Sequence, residues 1–422
     1  MKRLLYVANP FPPMASGGNA RHLRFVRYLP EFGWEATVLA VRTDGPVPDP
    51  PGVRIVRAAG LDPEAVYGLA RKLAGPMRTR QPAAGAGAAA PAAPDGFQTS
   101  RRGRIDDWLQ VPDSYVGWVP PAVLAGRRLL RHERFDALFS SHPRGSSHLV
   151  AAALASASGL PWVADYRDPW RTNQFRHYPT RWHRALNVRL ETWALAQARA
   201  VTAVNEPMAA DLRRLYPGLA PATSVIPNGY DPEEPVDDID LGPGFWIVHT
   251  GRVYARTEQV TAFLEALAAL PDDVHAYFLG AGGPELEARA ATLGVAARVC
   301  FEPFAPRSRA LGLQRAAGAL LLITGRAPES LSSKLPEYLD SGRPVLAMTS
   351  TRSAAHALVT EAGAGRCVAP DEPLGPALAA FVADAVAGRL PAADRDVVRR
   401  FDGRALTGQL AALLDDLTAH RG

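Results

Sequence analysis

Twice along this chain a short apolar run ends in a glycine-bearing turn and passes into a segment of helical periodicity. The first instance runs from Arg3 to Ala8, through the loop PFPPMASGGNA, into residues 19–32, where Leu23, Val26 and Leu29 recur at helical spacing. The second begins at Phe245 as FWIVHTGRVYARTEQV, with Gly251 at the turn and a helical segment from Thr257 to Leu270. Further short apolar runs follow each opening. In the first half they are Ala36–Val41, Ala137–Ser141, Pro161–Ala164, Ala200–Val204 and Ser224–Ile226. In the second they are Ala276–Leu279, Val299–Phe301, Ala319–Ile323 and Pro344–Met348. Short apolar strands alternating with helices predict parallel sheets covered by helices on their faces.

The expected fold class is therefore α/β, with two Rossmann-like domains facing across a cleft. Residues 1–235 form the expected first domain, and the run EEPVDDIDLGPG reads as the linker. Residues 243–400 form the second domain, and a last helix within 401–422 is expected to cross back to the first. With 422 residues, 47% of them hydrophobic, there is ample material for such cores. No apolar run is long enough to span a bilayer, and the opening MKRLLYVANPFPP reads as a strand rather than a signal peptide. Cys300 and Cys367 stand alone, so there is neither a disulfide framework nor zinc-ligand spacing, and the expected location is the cytoplasm. The formal charge of +5 is spread as single arginines rather than one concentrated basic face, which argues against a nucleic-acid partner. It suits anionic substrates, or peripheral contact with an anionic membrane at its inner face.

The most informative stretch is Ala319–Met348, ALLLITGRAPESLSSKLPEYLDSGRPVLAM. Its two ends read as neighbouring buried strands. Between them a loop carries Glu329, Ser332, Ser333 and Lys334 into a short helix from Leu335 to Asp340, with Pro336 suited to its first turn and Gly342 to its end. A loop leaving a strand's carboxyl end for a helix is where open α/β sheets bind ligands. Backbone N–H groups there can take phosphate oxygens, while Glu329 and Glu337 can accept from sugar hydroxyls. The alternative is structural: an early glutamate suits the helix dipole, and Ser332 or Ser333 can cap the helix. Lysine occurs only at positions 2, 72 and 334 among 47 basic residues, so Lys334 stands out as a compact point charge.

Gly17 and Gly18 follow the first strand without forming the GxGxxG fingerprint of dinucleotide binders, and no acidic residue closes the second strand at the expected place. They either permit a tight turn or let backbone approach a phosphate or sugar. The segment Asp165-Tyr166-Arg167-Asp168-Pro169-Trp170 gathers charge at another strand's carboxyl end, with His142 after a third. An Arg–Asp pair fixing the loop is the structural reading. The tract QPAAGAGAAAPAAPDG near residues 81–96 has no means of building a core and reads as a flexible insertion within about 74–104.

Taken together, residues 13–18, DYRDPW, VIPNGYD at 225–231, HTGRVYAR at 249–256 and PESLSSKLPEYLDSGRPVLA resemble the retaining GT-B glycosyltransferases of family 4, which use nucleotide sugars. The resemblance covers the chain apart from the insertion, and it carries the family's paired-glutamate pattern at Glu329 and Glu337. It implies that Glu337 holds the donor ribose and Glu329 faces the transferred sugar. It further implies that Arg252 and Arg256, with Ser332, Ser333 and Lys334, bind the donor's diphosphate side, and that Gly17 and Gly18 close that site. Asp168, Asp165 or His142 would handle the acceptor hydroxyl.

No DxD-like acidic pair stands on a suitable loop, so neither a metal nor any other cofactor is expected, only a nucleoside-diphosphate sugar as co-substrate. The acceptor would be a small molecule, a glycan or a lipid-linked group. Within the fold the alternatives are an epimerase or a phosphorylase; outside it, an oxidoreductase or a non-catalytic sugar-binding protein. Because the Ala/Gly/Pro tract supplies little packing, deleting residues 82–95 should leave the melting temperature and turnover nearly unchanged. A fall of several degrees, or lost turnover, would mark the tract as a working part.

Overall fold

The computed structural model describes residues 1–14, 16–45, 47–60, 111–173, 178–253, 257–324 and 331–419. They form two parallel sheets. The first holds β1 (Lys2–Ala8), β2 (Trp34–Val41), β3 (Arg54–Ala58), β4 (Ala137–Ser141), β5 (Trp162–Tyr166), β6 (Ala200–Ala203) and β7 (Thr223–Val225). Their spatial order is β3-β2-β1-β4-β5-β6-β7. The second holds β8 (Phe245–Thr250), β9 (Val274–Leu279), β10 (Val299–Glu302), β11 (Ala319–Ile323), β12 (Val345–Met348) and β13 (Gly365–Val368), in the order β10-β9-β8-β11-β12-β13. Two compact units result. One comprises Met1–Asn19, Gly33–Thr202 and Leu414–Gly422; the other comprises Ala20–Phe32 and Ala203–Leu413.

In both sheets the chain leaves the first strand toward one edge and then returns to its other side. β1 pairs with β2 and with β4, and β8 pairs with β9 and with β11, all in parallel. The loops after β1 and β4, and after β8 and β11, therefore part at a topological switch point, where a crevice opens at the strands' carboxyl ends.

The apolar runs explain the burial. Within β11, Ala319, Leu321 and Ile323 enter the cluster of Phe263, Leu267, Phe278 and Phe381. Leu320 and Leu322 enter the opposite cluster with Leu313, Leu335, Tyr338 and Val398. Successive residues of a strand point to opposite faces, so a continuous apolar run is what a sheet with helices on both faces requires.

β3 and β5 depart from the sequence expectation. β3 was not among the expected runs. It is an edge strand whose burial fades outward, and Arg54 and Arg57 interrupt its apolar pattern while pairing with Glu133 and Asp49. β5 continues two residues beyond Ala164, so Asp165 and Tyr166 lie within the strand.

The helix Gly145–Ser158 follows β4 and is almost wholly buried over its first ten residues. Its N-terminus is satisfied from another loop, because Asp113 accepts from Ser146 N (2.8 Å) and Ser146 Oγ (2.7 Å). A Cβ at Gly145 would lie 2.5 Å from Trp170 Cζ2 and 2.9 Å from Pro112 Cβ. Neither a tryptophan ring nor a proline beside it can give way cheaply. Gly145→Ala should cost about 1–3 kcal/mol by overpacking, read as a lowered melting temperature, whereas an unchanged one would mean the Trp170 packing is loose.

Candidate functional site

At the first switch point the residues converge on Arg167. Its Nε donates to His142 O and its Nη1 to Gly18 O, both at 2.7 Å, which ties the loop after β4 to the loop after β1. A side chain at Gly18 would collide with the Arg167 guanidinium, so glycine there has a structural cause. Gly17 differs: a Cβ would meet nothing within 4 Å, and packing does not require glycine.

His142 is buried, its ring stacked against Tyr166 and Trp170 with centroids 5.6 Å from each. Asp165 is buried and structural in its contacts. It accepts from Ser141 Oγ at 2.7 Å and Thr202 Oγ1 at 2.6 Å, joining β4, β5 and β6. Asp168 is reached by solvent. Crowding by surrounding protein nonetheless raises its carboxyl above the usual range, against the opposing pull of Arg167 and Arg144.

At the second switch point β8 ends in Thr250 and turns at Gly251, whose φ is +92°. A Cβ there would sit 2.7 Å from Lys334 Nζ. Glycine is thus favoured by the backbone, and any side chain there would displace the lysine laid over it. Arg252 follows and is exposed. Under the turn, His249 places Nδ1 2.9 Å from Leu321 O and Nε2 3.0 Å from Gly251 O. Burial, then the Lys334 charge, push its pKa down to about 3.

The loop and helix after β11 are pinned to this turn. Thr250 N donates to Tyr338 Oη at 2.9 Å, and Gln314 Nε2 donates to Thr250 Oγ1 at 2.9 Å. Ser332 Oγ accepts from Lys334 N at 3.4 Å, a local turn contact, while Ser333 is exposed.

One residue before Tyr338, Glu337 is 8% exposed and accepts from Arg307 Nη2 at 2.7 Å. Arg307 Nε also pairs with Glu234, and these two carboxylates hold the guanidinium charged despite its burial. Arg24, on the helix Asn19–Tyr28, belongs to the same charge cluster. Its pKa is pulled down to about 10, first by burial and then by Arg307.

Each switch point thus gathers a subset of the expected residues: Gly18 and His142, with Asp168 beside Arg167, at the first, and Arg252, Lys334 and Glu337 at the second. Glu329 and Arg256 lie outside the described residues. The sequence reading missed Arg307, Glu234 and Arg24. Arg307 lies 30 positions from Glu337 and 73 from Glu234, so no local pattern announces the cluster. Among the described residues, no group of three or more histidine, cysteine or carboxylate side chains is placed to hold a metal ion.

Two Rossmann-like parallel sheets, each with its loops gathered at a switch point, define the GT-B architecture. Residues 86–234 match the family model described as Glycosyltransferase Family 4, and residues 244–386 match that described as Glycosyl transferases group 1. Among solved structures, sucrose-phosphate synthase from Thermosynechococcus elongatus is similar over 100% of both chains, with 18% identity and a TM-score of 0.67. HepE from Anabaena, solved with UDP and glucose, is similar over 99% of this chain and 100% of its own, with 17% identity and a TM-score of 0.67. A glycosyltransferase from Rickettsia africae matches over 99% and 98%, with 11% identity and a TM-score of 0.59. A search of curated proteins returned no match. The chain is a GT-B glycosyltransferase of the family 4 kind.

Two buried histidines give the fold a pH dependence. His148, like His249, is held down to about 3, chiefly by burial. Trp162 Nε1 donates to Ser140 Oγ at 2.9 Å, which leaves the Ser140 hydroxyl to donate to His148 Nδ1 at 2.8 Å. Unfolded histidine titrates near pH 6.5, so between there and about 3 the unfolded chain binds more protons. Stability should fall on acidification through that window, by on the order of a few kcal/mol between about pH 7 and about pH 5. A melting temperature that stays flat across it would contradict the neutral buried rings.

Proposed function

We propose that this protein transfers a sugar from a nucleoside-diphosphate sugar to an acceptor hydroxyl, with retained anomeric configuration and without a metal ion. The observation that carries this reading is the Lys334 ammonium laid over Gly251, with Arg252 beside it and Glu337 held in the adjoining helix. One small region thus offers cations for a diphosphate and a carboxylate for ribose hydroxyls. A relative of the same fold, HepE, was solved with UDP and glucose, so UDP-glucose is the first donor to test.

In this reading the anomeric C–O bond breaks and its electron pair stays on the departing phosphate. Arg252, Arg256 and Lys334 stabilise that charge, with Ser332 and Ser333 on the donor loop. Glu329 stabilises the positive character at the anomeric carbon. The acceptor oxygen forms the new bond on the same face. Its proton passes to a nearby base, for which Asp168 is suited by its raised affinity for protons. By the family resemblance, His142 serves the acceptor hydroxyl, and Gly17 and Gly18 serve the donor.

An acceptor panel with UDP-glucose and other nucleotide sugars, read by mass spectrometry with and without a chelator, tests the reaction, and NMR of the product tests retention. The substitutions separate the roles. Arg252→Ala should weaken nucleoside-diphosphate binding by roughly 1.5–3 kcal/mol, the worth of a charge-assisted bond. Glu337→Gln should mainly raise KM for the donor, because ribose is held alike in ground and transition states. Glu329→Gln should mainly lower kcat, on the order of a hundredfold, and leave free diphosphate binding almost intact. Equal effects of both glutamate changes on diphosphate affinity would remove this division, and unchanged diphosphate binding in Arg252→Ala would move the phosphate site elsewhere.

A further inference from the structure

We propose that the outward face of the helix Arg181–Leu195 docks on an anionic lipid surface. Of the large hydrophobic side chains exposed among the described residues, most are scattered singly, as at Leu124, Phe304 and Val386. Three share this one helix: Trp182 at 69% exposure, Leu186 at 48% and Trp193 at 45%. At about 100° per residue, Trp182, Leu186, Arg189 and Trp193 fall within a sector of roughly 60°. The two tryptophans stand about 16 Å apart along the axis. The stripe is thus continuous and as long as most of the helix.

Folding does not need it, because the helix is anchored on its opposite side. Asn187, Glu191, Ala194 and Leu195 are buried there, Asn187 accepting from Trp170 Nε1 at 2.9 Å and Glu191 from Tyr166 Oη at 3.1 Å. Thr180 caps the first turn by accepting from His183 N.

Charge selects the partner. Arg189 is exposed within this sector, and Arg181 is exposed on its margin, about 80° further round the helix. The helix's one carboxylate, Glu191, is buried and paired with Arg171 at 3.0 Å, so the outward face carries positive charge and no negative. Tryptophan combines a large apolar ring with one N–H donor and settles where hydrocarbon meets water, and arginines beside it are drawn to anionic headgroups. A helix with an aromatic and apolar stripe and a basic margin suits lying in the interface plane. Among the described residues no helix is long and apolar enough to cross a membrane, so the contact is peripheral. This surface is independent of the donor chemistry proposed above.

The test is co-flotation of the full chain with phosphatidylcholine vesicles, with and without phosphatidylglycerol. The expected result is binding to the mixed vesicles and little to the neutral ones. The double variants Trp182→Ala/Trp193→Ala and Arg181→Glu/Arg189→Glu should each lower binding roughly tenfold or more. Their melting temperature and UDP affinity should stay unchanged, and Phe304→Ala should bind vesicles like the parent. No binding to mixed vesicles, equal binding to neutral ones, or binding that both double variants retain would overturn the proposal. So would a dimer in sedimentation that the tryptophan pair abolishes while vesicles go unbound, or preferential binding to single-stranded RNA.

Discussion

The second unit depends on how it accommodates the Glu337 side chain inside the protein. A carboxylate that is 8% exposed is costly unless a cation and hydrogen bonds replace its water. Arg307 supplies both, and Glu234 takes the other side of the same guanidinium. Removing one partner from such a group typically costs 3–5 kcal/mol, because the remaining charge is left unpaired. Arg307 binds Glu337 through Oε1. The arrangement fixes the carboxylate's direction, and any ligand that uses Glu337 meets an acceptor already oriented.

That orientation is carried to the strand ends by uncharged bonds. Tyr338 holds Thr250, Gln314 holds the Thr250 hydroxyl, and both come from helices packed on the same face of the second sheet. Gly251 then turns under Lys334 with a positive φ. The cation and the carboxylate are therefore not two independent features. They are set by one run of contacts that starts at Arg307 and ends at the β8 turn. The same low-dielectric surroundings keep His249 neutral, so the turn is built over an uncharged ring rather than a second cation.

How much of this was legible in the sequence follows from the range of the interactions. The strands β4, β8 and β11 were readable because a buried strand is a local apolar run, and the helix Leu335–Asp340 because proline and glycine bracket it. The clustering of Lys334 near HTGR was readable only as a resemblance, since Lys334 lies 83 positions after Gly251. Arg307, Glu234 and Arg24 were not readable. Each is one arginine or glutamate among many, and what singles it out is burial beside partners that topology alone brings near. β3 escaped for the opposite reason: a half-exposed edge strand carries arginines that blur the period on which strand reading relies.

The segment DYRDPW shows the same limit at the scale of one residue. In the sequence, Asp165 and Asp168 are equivalent candidates flanking Arg167. The structure separates them by extending β5 through Tyr166. Asp165 then lies level with Ser141 across the β4–β5 pairing, where hydroxyls from β4 and β6 point at it. Its hydrogen-bonding capacity is spent on joining three strands. Asp168 falls past the strand's end, where no ladder constrains it and solvent reaches it. Arg167, at the junction, donates to two backbone carbonyls and so fixes the loops. The division between a carboxylate that builds the sheet and one left at the solvent-reached loop thus rests on where a strand stops. Propensity decides that weakly here, because Asp is a poor strand former that two buried hydroxyls nevertheless hold in place.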